Sequence, residues 1–244
     1  MGGIIYSKEY VRFDMQKYDT ILFDADGTLF DFLRGEREAL LLACRKYGYE
    51  LSEADVKEYS AINDSLWKAL ERGEVDKETL RVKRFEIFGK LKGFDCDFGK
   101  LSLDYTDLLS EQHFLIDSAA EIVKKLSEKC RLYIITNGIG YVQRNRFSLS
   151  PIGEYFRELF ISEEVGYEKP NIRFFEYVAE RIPDYDASRT LVVGDSMTSD
   201  MKGGIGAGID CCYFTPNGRG IPQGSKIKYC IRQLPELEKI IFGE

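Results

Sequence analysis

Tyr18-Asp19-Thr20-Ile21-Leu22-Phe23-Asp24-Ala25-Asp26-Gly27-Thr28 is the stretch whose reading decides the fold. An apolar run that stops at a polar, Gly-containing turn predicts a buried strand ending in that turn. The same grammar recurs downstream. Arg131-Leu132-Tyr133-Ile134-Ile135 runs into Thr136-Asn137-Gly138, and Leu159-Phe160-Ile161 into an acidic segment that ends at Lys169. Leu191-Val192-Val193 runs into Gly194-Asp195, and Cys211-Cys212-Tyr213-Phe214 and Tyr229-Cys230-Ile231 complete the candidate strands. Helical segments lie between them, notably 118–129 and 171–181. Strand alternating with helix predicts an α/β fold: a Rossmann-like parallel sheet with helices on both faces and ligands at the carboxyl ends of the strands.

Between the first and second strands the pattern changes. Leu40, Leu41, Cys44 and Tyr47 fall at helical spacing, as do Tyr59, Ile62, Leu66 and Leu70, and then Phe98, Leu101, Tyr105 and Leu108. Asp76 opens a further helical segment that runs to about Leu91. Residues 33–113 therefore read as an all-helical bundle inserted as a cap, with residues 1–32 and 114–244 forming the catalytic core.

Composition narrows the chemistry. The chain has 244 residues, 34 Lys and Arg against 41 Asp and Glu, and a formal net charge of -7, which argues against gripping nucleic-acid polymers or anionic membranes by bulk charge. With His113 as the one imidazole, two-His zinc motifs are excluded and a catalytic triad has a single candidate. No stretch approaches the ~20 apolar residues of a membrane span, and no secretory h-region opens the chain, so a cytoplasmic location is expected. Met1-Gly2-Gly3 carries Tyr6 where a myristoylation signal wants Ser or Thr. Cys44, Cys96, Cys130, Cys211, Cys212 and Cys230 form no C-x-x-C pair and read as buried free thiols.

Every polar cluster follows a strand, so a parallel sheet would gather Asp24, Asp26, Thr28, Thr136, Asn137, Lys169, Asp195 and Asp200 into one pocket. Carboxylates that close repel unless a cation neutralises them, and oxygen-only ligands select a hard ion, Mg²⁺. Asp24, kept ionised by metal and lysine, is placed to attack phosphorus, and Asp26 to protonate the leaving oxygen. Thr136, Asn137 and Lys169 are candidates to hold the phosphoryl oxygens.

Four motifs in order, D-x-D-G-T at Asp24 to Thr28, T-N at Thr136-Asn137, K-P at Lys169-Pro170 and G-D-x-x-x-x-D from Gly194 to Asp200, resemble the haloacid dehalogenase superfamily of phosphohydrolases. The resemblance spans residues 17 to about 240, with the helical insertion where that family carries its cap. It implies an aspartyl-phosphate on Asp24, with Asp26 as general acid and then base. Mg²⁺ would be held by Asp24, Asp195 and the Asp26 carbonyl; Thr28, Ser196 and Asp200 would support them. Asp26 argues against the carbon-halogen chemistry of the dehalogenases, which lack it. Leu29-Phe30-Asp31-Phe32, the segment 161–170 and residues 194–200 are similar to bacterial pyrimidine 5′-nucleotidases, which implies a nucleoside monophosphate as partner. Gly27 departs from that branch, which often has a second aspartate there. A sugar-phosphate or phosphoglycolate phosphatase, a phosphomutase, a 2-haloacid dehalogenase and a non-catalytic binding module are the competing readings.

Taken singly, these residues have plainer roles. Asp24, Asp26, Asp195 and Asp200 could be solvated turns or helix caps, and Lys169 a loop lysine. Arg81, Lys83 and Arg84 read as a solvated helix face, His113 as a linker residue, and Gly204 to Gly208 as a tight helix-to-strand connection. Trp67 and the cap aromatics read mainly as bundle core, with one or two of them, together with Phe30 or Phe32, as candidate base-stacking rings.

Overall fold

The computed structural model describes residues 16–243; the Met1-Gly2-Gly3 and Tyr6 reading lies outside them. β1 (Thr20–Phe23) leads through a turn into α1 (Phe32–Lys46), α2 (Glu53–Glu71), α3 (Lys77–Lys92) and α4 (Phe98–Glu111), and the chain returns through α5 (Ala119–Ser127) to β2 (Arg131–Thr136). There follow α6 (Gly140–Leu149), β3 (Phe156–Ile161), α7 (Ser162–Val165), α8 (Ile172–Arg181) and β4 (Thr190–Gly194). A π-helical turn at Met197–Met201 enters α9 (Lys202–Gly206), and β5 (Asp210–Phe214), β6 (Tyr229–Ile231) and α10 (Glu236–Phe242) close the fold.

All six strands are parallel, in the order β3-β2-β1-β4-β5-β6. β1 sits in the middle with every residue buried, because a central parallel strand is covered on both faces. Its side chains alternate: Ile21 and Phe23 pack with Ile122, Val123 and Leu237, whereas Leu22 packs with Phe174, Phe175 and Val178 on the other face. Phe23 pairs with Ile134 of β2 and Val193 of β4, so the residues that follow these three strands emerge together at one edge.

The inserted helices begin where local chemistry tells them to. Asp31, Ser52, Asp76 and Asp97 cap α1 to α4, each accepting from a backbone N–H of the first turn, and Ser52 with Asp55 forms a full capping box. Ala39, Leu40, Cys44, Tyr59, Phe85 and Tyr105 build the bundle core, which reaches Ile139 and Val142 at the start of α6. Two antiparallel linkers join this cap to the sheet, tied by Asp31 N–H to the Phe114 carbonyl and Ile116 N–H to the Leu29 carbonyl, both at 2.9 Å.

Several expectations are corrected here. Of the three basic residues expected on a solvated face only Lys83 is exposed: Arg84 is buried, donating to Asn63 Oδ1 and lying 4.6 Å from the Tyr105 ring centre, and Arg81 pairs with Glu163. Phe30 cannot stack on a substrate, because it is wholly buried against Phe147. Cys230 is exposed and Cys96 half-buried; the other four thiols are buried. Among the described residues no helix is long and apolar enough to cross a membrane.

Candidate active site

Four segments meet at the carboxyl edge of the sheet. Asp24 extends β1, its N–H bonded to the Val193 carbonyl, and Asp195 and Asp200 follow β4. Lys169 arrives from the loop between α7 and α8 and is 1% exposed; its ammonium donates to Asp24 Oδ1 at 2.8 Å, Asp200 Oδ1 at 2.6 Å and the Ile135 carbonyl at 2.6 Å. These three acceptors use all three of its protons, which is what allows a charged lysine to be buried.

The surroundings hold that lysine in place. Asn137 accepts from the Lys169 N–H and donates to its carbonyl, so its side chain grips the Lys169 peptide from both sides. Asp200 is fully buried, and its second oxygen accepts from Ser196 N–H. Ser196 also caps the π-helical turn through its hydroxyl. Thr28 lies between Asp24 and Asp195, within 3.4 and 3.5 Å of a carboxylate oxygen of each, and Thr136 Oγ1 accepts from Gly138 N–H.

Oxygens of Asp24, Asp195 and Asp200 lie within 4.8 Å of one another. Fully ionised, three carboxylates against the Lys169 ammonium would leave two negative charges uncompensated. Burial raises Asp24 well above the usual carboxylate range, opposed by Lys169 and reinforced by Asp200 and Asp195. Burial and then Asp200 push Asp195 up to about 7. Burial alone would lower Lys169, but Asp200 and Asp24 outweigh it and keep it protonated. An all-oxygen donor set with surplus negative charge fits a hard divalent cation.

Asp26 lies apart from this cluster. Its carboxylate turns toward α6, where Oδ2 accepts from Gln143 Nε2 and Oδ1 from Arg146 Nη1. Sequence reasoning missed both partners, because α6 buries Gln143 and Arg146 beside Val142 and Phe147 and so carries no clean apolar stripe. It also missed Lys77, which reaches from the start of α3 to the Asn137 carbonyl and Ser162 Oγ, with Glu163 and Glu168 within 3.7 and 3.3 Å. Thr198 bonds Glu71 of α2, so the cap touches the loops that carry the second, third and fourth motifs. His113 is exposed, as expected of a linker residue.

A cleft of about 950 Å³ opens beside Asp26, Gly27 and Asp195, with Phe32, Arg34 and Asp64 on its cap side. A carboxylate cluster at the switch of a parallel sheet, a buried lysine and a roofed cleft define a hydrolase site of the phosphoryl-transfer kind. The chain belongs to the haloacid dehalogenase-like hydrolases, whose family model matches residues 18–208, and it is a phosphohydrolase of that family. It is 38% identical over 229 residues to the HAD-hydrolase YfnB of Bacillus subtilis, covering 93% of this chain and 97% of that protein. The crystal structure of YfnB bound to magnesium superposes with a TM-score of 0.87, at 37% identity over 92% of this chain and 99% of that one. The pyrimidine 5′-nucleotidase YjjG of Escherichia coli is 33% identical over 92% of this chain and 98% of its own length. PynA of Streptococcus pneumoniae, also a pyrimidine 5′-nucleotidase, is 34% identical over 82% and 85%.

Proposed function

We propose that this phosphohydrolase is a Mg²⁺-dependent cytoplasmic enzyme that hydrolyses pyrimidine nucleoside 5′-monophosphates through an aspartyl-phosphate on Asp24. The observation that carries the chemistry is the Lys169 ammonium, buried between Asp24 and Asp200 at the edge of the acidic cluster. The likeness to two pyrimidine 5′-nucleotidases along most of the chain supports the substrate. Six free cysteines, four of them buried, suit a reducing compartment.

Asp24 and Asp195, with the Asp26 carbonyl, would hold Mg²⁺, which when bound supplies positive charge to the phosphoryl oxygens. The chain's own residues do the rest. Asp24, with one oxygen fixed by Lys169, is oriented for in-line attack on phosphorus. Asp26 gives a proton to the departing ribose oxygen and takes one from the water that hydrolyses the aspartyl-phosphate. Lys169 and the Thr136 hydroxyl stabilise charge on the transferring group; Asn137 contributes its main chain, since its side chain holds Lys169. Residues 33–113 act as the cap, and Lys77 and Arg81 seat it against the core so that bulk water is excluded.

The test is a hydrolysis screen over nucleoside 5′-monophosphates, sugar phosphates and phosphoglycolate. Pyrimidine nucleotides should show the highest kcat/KM; a sugar phosphate or phosphoglycolate at the head of the ranking overturns the substrate, and isomerisation without phosphate release overturns hydrolysis. Excess EDTA should abolish turnover. Mg²⁺ at a hundred times its Kd should stabilise the fold by about 2.7 kcal/mol, seen as a rise in Tm.

Gly27 supplies a separate check. Its φ is +83°, and a Cβ there would stand 2.4 Å from Asp195 Oδ2, so this backbone position abuts a metal-ligand candidate. Gly27→Ala is expected to displace Asp195 and weaken apparent Mg²⁺ affinity about 10- to 100-fold. Metal titrations of activity should show that loss, with turnover largely recovered at high Mg²⁺.

A further inference from the structure

The buried side of α6, which packs mainly against α4, is unusual because two of its residues are Gln143 and Arg146, each 1% exposed. Both point at one carboxylate, so each Asp26 oxygen has a donor of its own. Arg146 also donates through Nε to the Gln112 carbonyl at 2.8 Å, where α4 leaves the cap, and its guanidinium lies 4.3 Å from the Phe30 ring centre. Asp26 is thereby tied through one side chain to the exit of the cap.

This arrangement is costly to stability. Gln143 Oε1 and Arg146 Nη2 are buried with no hydrogen-bond partner from the protein, and a buried polar atom without one destabilises a fold. Room for Gln143 is also specific: a Cβ on Gly138 would stand 2.3 Å from its Nε2. An apolar residue at 143 would remove the unpaired amide oxygen and give up only the bond to Asp26 Oδ2, whose carboxylate is partly exposed, so the amide has to be explained by what it does for Asp26.

We propose that Gln143 and Arg146 are positioning residues that aim the Asp26 carboxylate and couple its placement to the cap linker. Both act through Asp26. Gln143 and Arg146 hold the two oxygens of one group from one helix, which defines the position from which Asp26 turns to the leaving group. The inference rests on Asp26 as the proton donor, so the test separates the two assignments.

The measurement is kcat/KM, which covers the steps up to departure of the leaving group, for p-nitrophenyl phosphate and for the alkyl phosphomonoester the enzyme hydrolyses fastest. Nitrophenolate leaves without a proton, whereas an alkoxide needs one. Gln143→Met is expected to lower kcat/KM about 10- to 100-fold for the alkyl ester and far less for the aryl ester, with Tm unchanged or raised. Arg146→Lys, which keeps the charge but replaces the planar fork that reaches Asp26 and Gln112 through separate nitrogens with a single donor atom, should shift the ratio in the same direction. A merely structural role would lower Tm and depress both substrates alike, and that result, or an unchanged ratio in Gln143→Met, overturns the proposal. Asp26→Asn is the control: selective loss on the alkyl ester there without one in Gln143→Met overturns the positioning role alone, and no selective loss in Asp26→Asn overturns the proton-donor assignment and the proposal with it.

Discussion

Asp24→Asn is expected to lose at least about 10⁴-fold in turnover, as removal of a covalent nucleophile does elsewhere, while folding normally. The physical reason for the second half is electrostatic. Asparagine keeps an oxygen for Lys169 in place of Asp24 Oδ1 and removes one of three clustered carboxylates that repel one another. Without metal the variant should therefore melt no lower than the parent. Phosphate release reads the first effect and thermal unfolding the second; substantial turnover in pure Asp24→Asn sinks the nucleophile assignment. A pH dependence accompanies it. Asp195 has an ordinary value of 3.8 and is held near 7 in the fold, so the folded state binds more protons than the unfolded chain across that interval. Metal-free protein should accordingly lose stability as pH rises from about 4 to about 7, and saturating Mg²⁺ should remove that slope.

Lys169→Met should damage both function and fold. It strips Asp24 and Asp200 of their shared cation and leaves buried carboxylates uncompensated, a loss of about 3–5 kcal/mol by the general cost of breaking a buried pair. At about 2–4 °C per kcal/mol for a chain of this size, Tm should fall roughly 6–20 °C. The deficit should shrink in acid, where the carboxylates take up protons, and shrink again on adding Mg²⁺, which replaces part of the missing positive charge. Activity should not return with stability, because the lysine also orients Asp24. Retention of the parent's Tm would contradict the role given to this buried ammonium.

The candidate-site segments were legible because three of the four motifs begin where a strand ends, and a parallel sheet brings strand ends into one row whatever their separation in sequence; Lys169 comes instead from the loop after α7. Asp24, Thr136 and Asp195 could thus be placed together from local pattern alone, and the pairing of Phe23 with Ile134 and Val193 puts them there. The four cap helices were legible for a similar reason: their apolar spacing and the Asp76 start signal are local features. Lys77, Gln143 and Arg146 were not. A lysine at the start of a helix reads as solvent-exposed, and a helix whose buried side includes Gln and Arg lacks the stripe that marks a buried face.

Asp26 shows where the boundary lies. Its spacing from Asp24 suggested that both carboxylates face the same site, yet in the fold it turns to α6 and meets Gln143 and Arg146, more than a hundred residues away in sequence. Sequence by itself determined the strand-turn motifs, the helical insertion and the identity of the chemical groups, because these follow from periodicity, capping and residue type within short windows. Only the tertiary structure decided which charges compensate one another, which way Asp26 points and where the cap is fastened, because those depend on packing between distant segments. The direction of a side chain is set by its neighbours in space, and local sequence does not specify them.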